Sequence, residues 1–88
     1  MELYVVNYYH WESYEDQYEI VIGIYSSKDK AIDGIKEALR TIVNRKLEWE
    51  DDRFDGETYK CPDYEDDKGY YESGYYINKM ILDQTILP

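Results

Sequence analysis

The sequence predicts an α+β domain: a three-stranded sheet of order 2-1-3, one helix packed on one face, and a long acidic loop or hairpin before the last strand. Three observations carry that prediction. Two β-rich runs open the chain, a stripe of apolar residues at helical spacing follows, and a short apolar run near the end comes after a stretch with no period. Eighty-eight residues make one domain, 1–88, carrying an acidic, aromatic-rich insertion at 47–74. A chain of that length buries roughly 60–65% of its unfolded surface, enough for one modest core without disulfide staples.

Leu3 to Tyr9 (LYVVNYY) is β-branched and aromatic, free of Gly and Pro, and reads as the first strand. Trp11 to Gln17 is polar and of hairpin length. Tyr18 to Tyr25 (YEIVIGIY) is the second strand, whose alternation groups Ile20, Ile22 and Ile24 on one face and Val21, Gly23 and Tyr25 on the other. Gly23 marks a bulge or a close approach of the helix. Ser26 caps that helix, with Asp29 as a shortened capping box. Ala31, Ile32, Ile35, Ala38, Leu39, Ile42 and Val43 form its apolar stripe, and Arg45 and Lys46 suit its C-terminal end. Gly34 is expected where the helix crosses a strand closely. Tyr75 to Leu82 (YYINKMIL) is the last strand.

An antiparallel hairpin followed by a crossover helix sets the last strand beside the first. The helix is expected over Ile20, Ile22 and Ile24. The opposite face then shows Val21 and Tyr25, with Tyr4, Val6 and Tyr8 from the first strand. Either the acidic segment folds over that Tyr-rich face, or a second copy does, making a homodimer.

Charge is concentrated. Twenty acids against 10 bases give −10, and the stretch from Glu48 to Glu72 alone holds 11 acids and 3 bases. Direct binding of nucleic acid or of an acidic membrane is disfavoured, because both need clustered Lys and Arg. Nothing near Met1 reads as a targeting signal, no run is long enough to span a membrane, and Cys61 is the single cysteine. These features suit a cytoplasmic protein.

The junction Ile22-Gly23-Ile24-Tyr25-Ser26-Ser27-Lys28-Asp29-Lys30-Ala31 resembles that of a family of small bacterial and phage domains of unknown function. In that family a strand precedes an Ile-Gly-x-Tyr-Ser-Ser turn, a Lys/Glu-rich helix and a closing strand ending near Leu-Asp. Leu82-Asp83 matches that ending, and the similarity covers residues 2–40 and 75–83. The family has no assigned activity, so the resemblance implies only its β-β-α-β arrangement. The insertion at 47–74 is longer and more charged than the family's connection.

The constellations that could carry chemistry are incomplete. Asp51, Asp55 and Gly56 echo a calcium loop, but Arg53 and Pro62 stand where ligands must be. His10 and Cys61 are the only soft ligands, two where a structural zinc wants four. Gly23-Ile24-Tyr25 matches half of a GIY-YIG nuclease signature, whose Tyr-Ile-Gly companion is missing. No catalytic, metal or cofactor site is expected, and the chain reads as no enzyme.

The acidic segment remains. Its carboxylates would steer a basic protein surface while its tyrosines supply contact area. The candidate partner-binding residues are Asp51, Asp52, Asp55, Glu57, Tyr59, Asp63, Tyr64, Glu65, Asp66, Asp67, Tyr70 and Tyr71. Carboxylates on a rigid element can imitate phosphates and occupy the nucleic-acid cleft of another protein. In charge and size the chain is similar to small acidic phage proteins that disable host nucleases or CRISPR effectors. The expected function is therefore a non-enzymatic protein-binding module, an inhibitor of the nucleic-acid-mimic kind. The alternative is a self-associating accessory domain that dimerises through its Tyr-rich sheet face.

Overall fold

The computed structural model describes residues 2–12, 17–41, 47–67 and 69–81. The elements are β1 (Glu2–Glu12), β2 (Gln17–Tyr25), α1 (Lys28–Thr41), a single 3-10 turn (Asp51–Arg53), β3 (Thr58–Lys60), β4 (Tyr64–Asp66) and β5 (Gly69–Ile81). All strand pairs are antiparallel, in the order β2-β1-β5-β3, with β4 also pairing β5. The last strand does lie beside the first, in one unbroken register from Glu2 opposite Ile81 to Glu12 opposite Tyr71.

The sheet has five strands, not three. The two extra strands come from the acidic segment, and both lie along the outer edge of β5: β3 against Gly74–Tyr76, β4 against Gly69–Tyr71. Each is only three residues long, too short to express a period of two in sequence. The last strand also starts at Gly69, six residues before the expected Tyr75. Gly69 and Gly74 read as loop punctuation but serve the strand. Gly69 adopts φ +135° at the β4–β5 turn, where an L side chain is strained. At Gly74 a Cβ would stand 2.5 Å from the Tyr9 hydroxyl and 2.6 Å from the Tyr59 carbonyl, so no larger residue fits.

The helix register is as the stripe predicts over the described residues, with Ala31, Ile35, Ala38 and Leu39 buried. Ile42, Val43, Arg45 and Lys46 lie outside the described residues. The cap sits one residue later than expected: the Ser27 hydroxyl accepts the Lys30 N–H at 3.2 Å.

What the helix covers differs from the expectation. The β1–β2 register shifts between Val6 and Asn7, which pair with Gly23 and Val21 and leave Ile22 as the extra residue. One inserted residue reverses the faces of everything beyond it. Ile20, Ile22 and Ile24 therefore do not share a buried face. Ile20 is 47% and Ile24 61% exposed, and only Ile22 packs against the core. The helix instead packs over Tyr4, Val6, Tyr8, Ile22, Tyr25, Tyr75 and Ile77, so Tyr4, Val6, Tyr8 and Tyr25 lie beneath it rather than on the open face. Tyr25 explains both glycines. Its ring lies where a Cβ on Gly23 or Gly34 would be, 2.4 and 2.1 Å from its hydroxyl oxygen, so the phenol wedges between β2 and α1.

The open face carries Val5 opposite Ile24, Leu3 opposite Met80, and Asn7 between Val21 and Tyr76. Val21 is 59% and Met80 44% exposed. The acidic segment does not fold over this face. Its Leu47, Trp49 and Phe54 pack instead against the helix-side core. Among the described residues no helix is long and apolar enough to cross a membrane.

Candidate functional site: the acidic edge of the sheet

The acidic segment does three separate things as it passes along β5. Its first part clasps a buried tyrosine. Tyr59 is 1% exposed; its ring stacks on Trp49 at 4.6 Å, and its hydroxyl accepts the Glu50 N–H at 3.0 Å. Trp49 in turn packs on Phe54 at 5.2 Å and receives the Lys36 ammonium 5.3 Å from its ring centroid. Its indole N–H donates to Asp51. Asp55 then closes a turn by accepting the amides of Glu57 at 2.9 Å and Thr58 at 2.8 Å. Those bonds, the Thr58 amide first, hold its carboxyl below the ordinary value.

The middle part contributes to the core. Tyr59 and Cys61 are buried with Tyr8, Tyr75 and Ile77, and the Cys61 N–H donates to the Ser73 carbonyl at 3.0 Å. Part of the acidic segment is therefore interior and not partner surface. The Tyr75 hydroxyl is buried beside them, with no hydrogen-bond partner among the described residues.

The last part, the β4–β5 hairpin, presents charge. Asp63, Glu65, Asp66 and Asp67 are exposed, and the hairpin holds two of them through tyrosine hydroxyls. Tyr70 donates to Asp63, and Tyr71 donates to Asp66. The acceptor carboxylate at Asp63 pushes the Tyr70 phenol up to about 12. Burial first, then Asp66, pushes Tyr71 up to about 12. Tyr64 stacks flat on Tyr71 at 4.6 Å, and Tyr70 meets the edge of Trp11 at 6.3 Å.

The twelve candidate residues therefore fall into two groups and an interior. Glu57 lies beside Ile77 and Asp66 beside Gly69, roughly 26 Å apart at the rise of a strand. Asp63, Tyr64, Glu65, Asp66, Asp67 and Tyr70 come together on the hairpin. Asp51, Asp52, Asp55 and Glu57 stand at the far end, where Asp51 and Asp55 serve local structure. Tyr59 and Tyr71 are interior residues, 1% and 7% exposed, and offer no contact surface.

Sequence reasoning missed a cleft near the hairpin, at the end of β1 and the start of β2. Tyr9, Trp11, Gln17, Tyr18, Glu19 and Glu72 line, with His10, a cleft of about 350 Å³. The alternation of Tyr9 and Trp11 in β1 was the available signal. His10 itself is 8% exposed, bonded through Nδ1 to the Tyr8 hydroxyl at 3.3 Å and through Nε2 to Glu12 at 3.0 Å. Among the described residues no group of three or more His, Cys, Asp or Glu is arranged to hold a metal ion. Comparison with known proteins finds no family model that matches the chain, and no similar curated protein or solved structure.

Proposed function

We propose that the chain is a non-enzymatic binding module whose β4–β5 hairpin engages a basic surface of another protein, of the kind that binds nucleic acid. One observation carries the reading. Two of the four exposed hairpin carboxylates, Asp63 and Asp66, are anchored by hydroxyls of the same hairpin. A carboxylate already fixed in place loses little conformational freedom on meeting a cation, which is the advantage of preorganisation. The exposed carboxylates of the hairpin also present the negative charge that phosphates carry, Asp63 and Asp66 from its two faces, and partly exposed Tyr64 and Tyr70 add contact area. The partner on this reading is a basic protein in the cytoplasm, and the module acts as an inhibitor by occupying its nucleic-acid site.

The test is an NMR titration with an isolated Lys/Arg-rich DNA-binding domain at two salt concentrations. Shifts should centre on Asp63–Asp67, weaken steeply with salt, and reverse when duplex DNA is added as competitor. Shifts spread evenly over all exposed acids, or binding indifferent to duplex DNA, would count against the hairpin site.

A second reading is favoured by a different observation. Val21, Ile24 and Met80 are exposed on the open face beside partly buried Leu3 and Val5, an apolar patch suited to a homodimer. Ile24→Glu should then convert a dimer to monomers in sedimentation, and a wild-type monomer at high concentration removes this reading.

A further inference from the structure

The cleft at Tyr9 and Trp11 lies on the open face, and the strand registers show how it is built. β1 runs along its floor: Tyr9 stands between Glu19 of β2 and Gly74 of β5, and Trp11 between Gln17 and Glu72. Alternation puts these six residues on one face, and all but Gly74 line the space of about 350 Å³. His10 and Tyr18 belong to the other face, where their rings meet at 5.2 Å, so they border the cleft through their main chain. Gly74 makes room for the platform. The Tyr9 phenol lies where a Cβ on Gly74 would be, with its hydroxyl oxygen 2.5 Å from that position. Trp11 is steadied by a T-shaped contact with Tyr70 at 6.3 Å, and both cleft rings are partly exposed.

The lining is rich in acceptors and holds no cation. Glu19 and Glu72 stand at opposite corners of the platform, about 12 Å apart at ordinary strand spacing and rise. Among the described lining residues there is no Lys or Arg. Glu19 accepts the Tyr76 hydroxyl at 2.7 Å, and Glu72 pairs with Lys60 from outside the cleft at 3.7 Å. A carboxylate has about four acceptor sites on its two oxygens, so one donor each leaves both able to accept more. Burial first, then the Glu72 carboxylate, pushes the Tyr9 phenol up, which places Glu72 beside that ring. Ring faces attract cations, and carboxylates beside them add to that attraction. A neutral ligand would gain the ring contact without the charge.

We infer that this cleft binds a small guanidinium compound, seated against the rings of Tyr9 and Trp11 with its N–H groups donating to Glu19 and Glu72. A guanidinium suits the cleft better than an ammonium. Its plane stacks on aromatic rings, its N–H donors fan out to carboxylates on two sides, and it is the more weakly hydrated cation. The size also fits, since small-ligand sites run from about 300 to 1,000 Å³ and this one lies at the lower end. The site does not rest on the hairpin reading, because neither Asp63 nor Asp66 lines it.

The test is an NMR titration of the whole chain with butylguanidinium. Butylurea, uncharged but of the same planar shape, and butylammonium, a compact cation, are the controls. The Trp11 indole N–H should shift saturably. That of Trp49, which donates to Asp51 in a chain of the same net charge of −10, should not. Butylurea should bind at least about tenfold more weakly, and butylammonium about threefold more weakly. Glu19→Gln with Glu72→Gln should weaken butylguanidinium about tenfold, by removing two attractive pairs. Asp33→Asn with Glu37→Gln, the same change of charge on exposed helix positions, should weaken it less than about twofold. Lys60→Gln frees Glu72 of its present cation and should tighten binding about twofold, a change that damage to the fold would not produce. Equal shifts at the two indoles, equal binding of either control, or equal losses in the two double variants would overturn the inference. So would acetylated arginine amide binding about tenfold more tightly than butylguanidinium, which would make the occupant a protein side chain. Failure of a DNA-binding domain to engage the hairpin leaves these readouts untouched, so the two sites fail separately.

Discussion

At one side of the sheet, β5 is closed by β3 and β4, which pair with six of its residues and bring Tyr59, Cys61 and a charged hairpin with them. At the other side, β2 ends the sheet with Tyr18, Ile20, Val21 and Ile24 exposed and no strand beyond it among the described residues. The acidic, irregular stretch is therefore the structurally committed edge, and the apolar, regular strand is the open one. Composition alone suggests the reverse. What decides is where the backbone finds partners: two three-residue strands pair with six of the thirteen residues of β5 on its outer side, while the nine residues of β2 have theirs satisfied on one side only.

The comparison is broken most sharply by truncating one buried residue on the closed side. Tyr59→Ala removes a fully buried ring that Trp49 stacks on and a hydroxyl that serves Glu50, and should destabilise the protein by about 3–5 kcal/mol in urea. Ile20→Ala on the open edge leaves a half-exposed side chain's site behind and should cost under about 1 kcal/mol. Equal losses would mean that the acidic segment is merely draped on the core.

A smaller effect is expected at the strand crossing itself. Gly74→Ala sets a methyl against the Tyr59 carbonyl, which the β3–β5 ladder holds, and should cost about 1–3 kcal/mol without changing the unfolding slope. A neutral Gly74→Ala would show that β3 is not seated as described.

The smallest effect is a pH dependence at Asp55. Its folded carboxyl lies below the ordinary value of 3.8, so its stabilising contribution is present above that pH and lost as pH falls through the folded value. Wild type should exceed Asp55→Ala in melting temperature at pH 6, and the gap should narrow below pH 4. A gap constant from pH 6 to pH 3 would remove the charged turn from the account.

β1 and the second half of β5 were legible as apolar, β-branched and aromatic runs, β2 by its alternation, and the helix by its apolar stripe at offsets of three and four. The bulge was legible only in part. Gly23 signals it, but the sequence does not say which residue is inserted, and that choice sends Ile20 and Ile24 to solvent and Tyr25 beneath the helix. β3 and β4 were hidden by their brevity and by acids at every second or third position. The hairpin acids were legible as charge, whereas their division from Asp51–Glu57 by most of the length of β5 was not. Tyr59 and Tyr71 misled for a physical reason: a phenol suits a half-exposed contact and a buried site with a hydroxyl partner equally well.

The central claim is that function resides in the hairpin carboxylates and not in net charge. Its most direct measurement is the affinity of a basic DNA-binding domain for two quadruple reversals to Lys. One changes Asp63, Glu65, Asp66 and Asp67; the other changes Glu12, Glu15, Asp16 and Glu19, of which Glu15 and Asp16 lie outside the described residues. Both alter net charge equally. With both variants shown folded by circular dichroism, the account predicts a loss of about tenfold or more for the hairpin reversal, and a clearly smaller loss for the other. Equal losses would contradict it and leave bulk charge as the only determinant.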